Sequence, residues 1–137
     1  MESPARLQTM LAMFIFLLLQ SGREVSSITL TFLKITNGLD HYNNLTLHCL
    51  CPAKNSDTGF RSLLPGQDFS FLFQPGDDGN TVWFCNFAWP GSRHYYDVYV
   101  PTRDVDCRQC LWMVSDPGPC RFDNVTQSYT ICYPWNN

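Results

Sequence analysis

From residue 28 onward, apolar and polar positions alternate in short runs, and no stretch keeps apolar residues at helical spacing for three turns. The runs are Ile28 to Thr36, Leu45 to Cys51, Asp68 to Phe73, Thr81 to Trp89, His94 to Val100, Gln109 to Ser115, Cys120 to Val125 and Ser128 to Tyr133. A period of two places alternate side chains on one face, so these runs predict seven or eight β-strands. Between them stand Asn37-Gly38, Pro65-Gly66, the stretch Pro75 to Asn80, Pro90-Gly91 and Pro117-Gly118-Pro119. These supply the positive or fixed φ that tight turns require. No connection is long enough for a helical crossover, which predicts antiparallel pairing. The fold class is therefore all-β, as a sandwich or a barrel.

The alternation also predicts which side chains are buried. Phe69, Phe71 and Phe73 share a face opposite Ser70 and are expected in the core. Leu45, Leu47, Cys49 and Cys51 form an inward set, with Thr46, His48 and Leu50 on the other face. From Thr81 to Trp89 both faces are heavy, as expected of a central strand.

The first residues have a different character. Arg6 precedes ten apolar residues, Met10 to Leu19, and a polar stretch begins at Gln20, the pattern of a secretory signal peptide. As a helix ten residues rise only about 15 Å, half the hydrocarbon thickness of a bilayer, which excludes a membrane anchor. Small residues at Val25-Ser26-Ser27 predict cleavage after Ser27, with Gly22 an earlier option. Residues 1–27 are thus read as leader and 28–137 as one domain of 110 residues. Glu2, Glu24, Arg6 and Arg23 cancel, so the domain keeps the net charge of −3 and lacks the dense basic face a nucleic acid demands. No membrane insertion is expected after cleavage.

Secretion carries all seven cysteines into an oxidising compartment, where disulfides are the default and an odd number leaves one thiol over. Cys107-Arg108-Gln109-Cys110 has redox spacing, but that chemistry needs a helix N-terminus after a parallel strand. Cys49 and Cys51 beside His48 offer too few ligands for zinc, and Asp77-Asp78 too few for calcium, so no metal or cofactor is assigned. Asn44-Leu45-Thr46 and Asn124-Val125-Thr126 are N-glycosylation acceptors. Trp89, His94, Tyr95, Tyr96 and Tyr99 cluster around one turn, either as core or as a platform for a sugar or protein. His48, His94 and Asp97 are the candidates for a hydrolase or nuclease, but none stands beside a nucleophile and no enzyme is assigned.

Several segments in order, Leu47-His48-Cys49, Leu64 to Phe73, Thr81 to Trp89, Tyr96-Asp97-Val98-Tyr99, Arg103-Asp104 and Cys107-X-X-Cys110-X-Trp112, resemble the plant self-incompatibility protein family, the S-protein homologues. The ending Gly118-Pro119-Cys120, then Ile131 to Asn136, resembles a branch with two added cysteines. The resemblance implies a secreted plant protein of β-sandwich fold with internal disulfides and no shared catalytic site. Its founding role is a stigma-expressed ligand that halts incompatible pollen through a pollen receptor, though most members lack that role. Six cysteines, Cys49, Cys85, Cys107, Cys110, Cys120 and Cys132, occupy family-like positions, which implies three bridges and leaves Cys51 unpaired. Cys120 and Cys132 bracket a stretch able to turn back as a hairpin and are expected to pair, while three connectivities stay open for the two that the other four would form.

The leading functional expectation is a secreted recognition ligand, monomeric, that presents loops to a cell-surface receptor, with pollen–pistil recognition as one setting. The loops are Asn37 to Asn44, Pro52 to Arg61, Gln74 to Asn80 and Pro101 to Asp106, with Lys54, Asp57, Arg61, Asp77, Asp78, Arg103 and Asp104 as contact candidates. The rivals are a carbohydrate- or cell-wall-binding module using the aromatic cluster, and a hydrolase built on the histidines. Cys51 is read first as a buried spare, then as a competitor for the partner of Cys49, then as the handle of a covalent dimer.

Overall fold

The computed structural model describes residues 8–16 and 28–136. Residues 8–16 are helical and exposed, and no described helix is long and apolar enough to cross a membrane. The rest of the expected leader, with both cleavage points, lies outside the described residues. Nine strands follow among the described residues: β1 (Thr31–Asn37), β2 (Leu45–Cys51), β3 (Ser56–Leu63), β4 (Asp68–Phe73), β5 (Trp83–Trp89), β6 (Ser92–Tyr99), β7 (Gln109–Ser115), β8 (Gly118–Asp123) and β9 (Ser128–Cys132). They form a five-stranded sheet, β4-β1-β7-β8-β9, and a four-stranded sheet, β3-β2-β5-β6. The fold is a disulfide-bonded β-sandwich.

Two features depart from the expectation. Most of the segment read as the loop Pro52 to Arg61 is strand β3, an edge strand whose only buried residue is Leu63. Its side chains are mostly exposed on both faces, so the alternation that marks a half-buried strand is missing. The second departure is that β1 and β7 pair in parallel, with Leu33 opposite Cys110 and Ile35 opposite Trp112. A parallel pair needs a crossover, and here the chain crosses by visiting the other sheet, so strands do what a helix commonly does.

The two inner faces close over Leu33 and Ile35 of β1, Leu45 and Leu47 of β2, Phe87 of β5 and Trp112 of β7, none more than 1% exposed. Each such aliphatic or phenyl side chain stabilises the fold by about 1.5–3 kcal/mol. The Trp112 indole N–H donates to the Val98 carbonyl at 2.9 Å, which joins the sheets through a buried polar contact. Phe73 is buried as expected, against Tyr99 at 4.8 Å, while Phe69 and Phe71 are partly buried against the core, Phe71 at 4.7 Å from Trp83. β5 lies between β2 and β6, the central position its two heavy faces predicted.

The C-terminal tail closes one flank. Trp135 packs against Phe87, Trp89 and His94, and its N–H donates to the Asp116 carbonyl at 3.0 Å. The Tyr133 N–H donates to the Pro119 carbonyl, and the Asn136 N–H to the Tyr95 carbonyl on the edge of β6. This approach requires glycine at 118, where a Cβ would stand 2.0 Å from the Tyr133 carbonyl oxygen.

Strand directions sort the connections between two ends. The segments 52–55, 74–82, 100–108 and 124–127 lie at one end, and 38–44, 64–67, 90–91 and 116–117 at the other.

Candidate functional site

Three of the four predicted presentation loops therefore share an end, and the fourth, Asn37 to Asn44, lies opposite. At the shared end Lys54 is exposed on a single 3₁₀ turn, Pro52–Lys54, stopped by Asn55 in the left-handed conformation. Asp77 and Asp78 are exposed in the 74–82 connection. That connection is held from within: the Gly76 N–H donates to the hydroxyl of Thr81, which is 1% exposed, and the Asp78 carboxylate accepts from the Asn80 N–H. Asp57 stands on β3, where it accepts from the Gly59 N–H at 2.8 Å and meets His48 Nε2 at 2.5 Å. The Gly59 hydrogen bond first, and the His48 bond next, hold its carboxyl below the ordinary value. Arg61 also belongs to β3 and lies over the Phe69 ring at 4.9 Å.

Arg103 and Asp104 are not surface groups for a partner in the way expected. Asp104 is 1% exposed, in the short helical turn Pro101–Asp104. Its carboxylate accepts from Arg103 Nη2 at 2.7 Å, from Arg121 Nη1 at 2.6 Å and from the Val100 N–H at 2.8 Å. Arg103 also donates to the Tyr96 hydroxyl and the Asp97 carbonyl, and its guanidinium lies between 5.3 and 5.5 Å from the rings of Tyr96, Trp112 and Tyr133. Burial opposes the charge on Arg103, but the hydrogen bond and charge of Asp104 outweigh it and raise its pKa. Burial pushes the Tyr96 hydroxyl up to about 12, Arg103 acting against that shift. The cluster clamps the two sheets beneath the loop end. Arg121 and Tyr133 in it were not legible locally, because they arrive from β8 and from the C-terminal tail, both remote in sequence.

The aromatic cluster does not form a sugar platform: Trp89, Tyr96 and Tyr99 are buried, and His94 stacks on Trp135 at 4.9 Å with planes 10° apart. Tyr95 alone of the five is exposed, on the outer face. Nor do the histidines converge. His94 pairs with the inward Phe87, whereas His48 shares the outer row with Asn86 and Tyr95, so the two imidazoles lie on opposite faces of the sheet.

The cysteines bond as Cys49–Cys85, Cys107–Cys110 and Cys120–Cys132, leaving Cys51 free and fully buried. The first joins β2 to β5, the last joins β8 to β9, and neither crosses between sheets. Their sequence separations of 36, 3 and 12 give chain-entropy contributions of about 4, 2 and 3 kcal/mol respectively. Cys51 shares the inward face of Cys49, so a second chain reaches it only if β2 opens.

The four-stranded sheet carries a feature the sequence reading missed. On its outer face His48, Phe60, Asn86, Arg93 and Tyr95 surround a hollow of about 660 Å³. An adjoining hollow of about 750 Å³ runs on past Thr46 and Ala88 to Asn44 and the Pro90-Gly91 turn. Asn44 and Asn124 are both exposed, at opposite ends of the molecule.

The sequence pattern of the family described as plant self-incompatibility protein S1 matches residues 33–135. S-protein homolog 2 of Arabidopsis thaliana is 40% identical over 100 residues, 69% of this chain and 62% of the homologue. S-protein homolog 3 of the same plant is 35% identical over 118 residues, 82% of this chain and 77% of the homologue. Self-incompatibility protein S1 of Papaver rhoeas is 28% identical over 102 residues, 72% of each chain. The chain thus spans about 62% of the length of the first of these relatives and more of the others. A solved structure of self-incompatibility protein homologues, described as small, highly stable, secreted plant proteins, superposes with a TM-score of 0.59 at 16% identity, covering 81% of this chain and 98% of that one. The chain belongs to the plant self-incompatibility protein S1 family, a family of small secreted plant proteins.

Proposed function

We propose that this protein is a secreted recognition ligand, not an enzyme, and that it presents the loops of one end to a receptor protein on the surface of a responding cell. The observation that carries this reading is the gathering of three charged loops at a single end of a rigid scaffold, with Lys54, Asp57, Asp77 and Asp78 exposed there. A pre-ordered scaffold lets such loops bind with little ordering cost. Arg103 and Asp104 serve the reading indirectly, by clamping the base of the loops. Self-incompatibility is the role carried in the name of the Papaver rhoeas relative; for this chain cell–cell signalling is the class proposed, with pollen–pistil recognition as one setting of it. The test is to exchange residues 52–57 and 74–80 with those of a homologue that elicits a different response. The response is expected to follow the loops, and a response that follows the strands overturns the reading.

A further inference from the structure

We propose that an N-linked glycan on Asn44 folds back along the outer face of the four-stranded sheet and seats its first sugars in the hollow between Phe60 and Tyr95. The hollow exists because the two central strands present small or short side chains, Thr46 and Ala88 in one row and Asn86 in the next. Phe60 rises on the β3 edge and Tyr95 on the β6 edge. Both rings face solvent, at 77% and 41% exposure, although they stand over a sheet face.

Asn44 opens onto this furrow. It precedes Thr46 by two residues and so continues the same face, it is exposed, and it lines the hollow that shares Thr46, Ala88 and Arg93 with the first. From Asn44 to His48 is four residues of extended chain, about 14 Å, within reach of the first sugars of an attached chain. The chemistry of the floor fits a neutral polyol. Thr46 and Asn86 supply a hydroxyl and an amide, the rings supply apolar faces, and the His48 ring nitrogen and the Asp57 carboxylate are hydrogen-bonded to each other. The volume of about 660 Å³ is that of a small-ligand site. Tethering at Asn44 raises the effective concentration of the sugars, so weak stacking contacts suffice. None of the residues lining the two hollows belongs to the connections 74–82 or 100–108, which stay free. Asn124, on the turn between β8 and β9 at the far end, provides an internal reference.

The test uses protein secreted from a eukaryotic host that adds high-mannose glycans, treated in its folded state with an endoglycosidase that cuts between the first two N-acetylglucosamines. Site-resolved mass spectrometry reads the cleavage rates. Cleavage at Asn44 is expected to be about tenfold slower than in the denatured protein, a protection equivalent to about 1.4 kcal/mol. The variants Phe60→Ser and Tyr95→Ser, at exposed positions that leave the acceptor sequence intact, are expected to abolish most of that protection and leave the Asn124 rate unchanged. An unmodified Asn44, equal rates in the folded and denatured protein, or protection that survives both substitutions overturns the proposal. Protection that rises with protein concentration also overturns it, because a second copy would then be covering the face.

Discussion

Replacing Asp104 by asparagine removes the anion that two guanidinium groups share beneath the loop end. The carboxylate is 1% exposed and receives hydrogen bonds from Arg103, Arg121 and the Val100 N–H. Asparagine keeps the shape but leaves two cations facing a neutral group. Removing one member of a buried ion pair costs about 3–5 kcal/mol, because the remaining charge is stranded. The arginine side chains retain 23% and 20% exposure, so water relieves part of that penalty and the lower end, about 3 kcal/mol, applies. Against a total stability of about 5–15 kcal/mol this is a large fraction, and it corresponds to a fall in Tm of about 12 °C. Urea denaturation of the disulfide-intact protein measures it directly. Arg121→Met leaves the Arg103–Asp104 pair in place and should cost about 1–2 kcal/mol. In the double variant only one cation is stranded, so the combined loss should fall short of the sum by at least about 1 kcal/mol. A loss below about 1 kcal/mol for Asp104→Asn, or additivity of the two substitutions, refutes the assignment of this cluster as the clamp between the sheets.

Other consequences are equally open to measurement. Gly118→Ala drives a methyl group into the Tyr133 carbonyl and should destabilise by about 1–3 kcal/mol, with Trp135 fluorescence shifting to the red as the tail lifts; an unchanged emission spectrum counts against tail docking. Asp57 has a lowered pKa, so its contribution is present above the unfolded value of 3.8 and lost as pH falls through the lower folded value. Wild type should therefore lose a small increment of stability in that acid window that Asp57→Asn lacks, read as a difference in urea midpoint between pH 5 and pH 2. Cys51→Ser should leave the protein monomeric, with the bridges Cys49–Cys85, Cys107–Cys110 and Cys120–Cys132 intact in non-reducing peptide maps, at a stability cost of about 1–2 kcal/mol. Any bridge involving Cys51 in the wild-type map contradicts the structure.

Much of the architecture is local in origin and was legible in the chain. The strands Leu45–Cys51, Asp68–Phe73 and Gln109–Ser115 have the limits their alternation predicts, because inward residues such as Leu47, Cys49 and Trp112 recur with the period of the pleat. A signal-like leader followed by seven cysteines already implied an oxidised, secreted domain. β3 was not legible: an edge strand with one buried residue has little pattern to read, and its bulge near His48 breaks what pattern there is. Nor was the parallel pairing of β1 with β7, since the choice of neighbour is made by the closure of two sheets and leaves no mark on either strand. The same holds for the candidate site. Lys54, Asp77 and Asp78 could be placed in exposed turns from their flanking glycines and prolines, whereas Asp104 looked like one more exposed acid. Only tertiary structure buried it, by bringing Arg121 from 17 residues away and the rings of Trp112 and Tyr133 around Arg103. A charge enters a core only when its counter-charges are already there, and that condition is met in space and not along the chain.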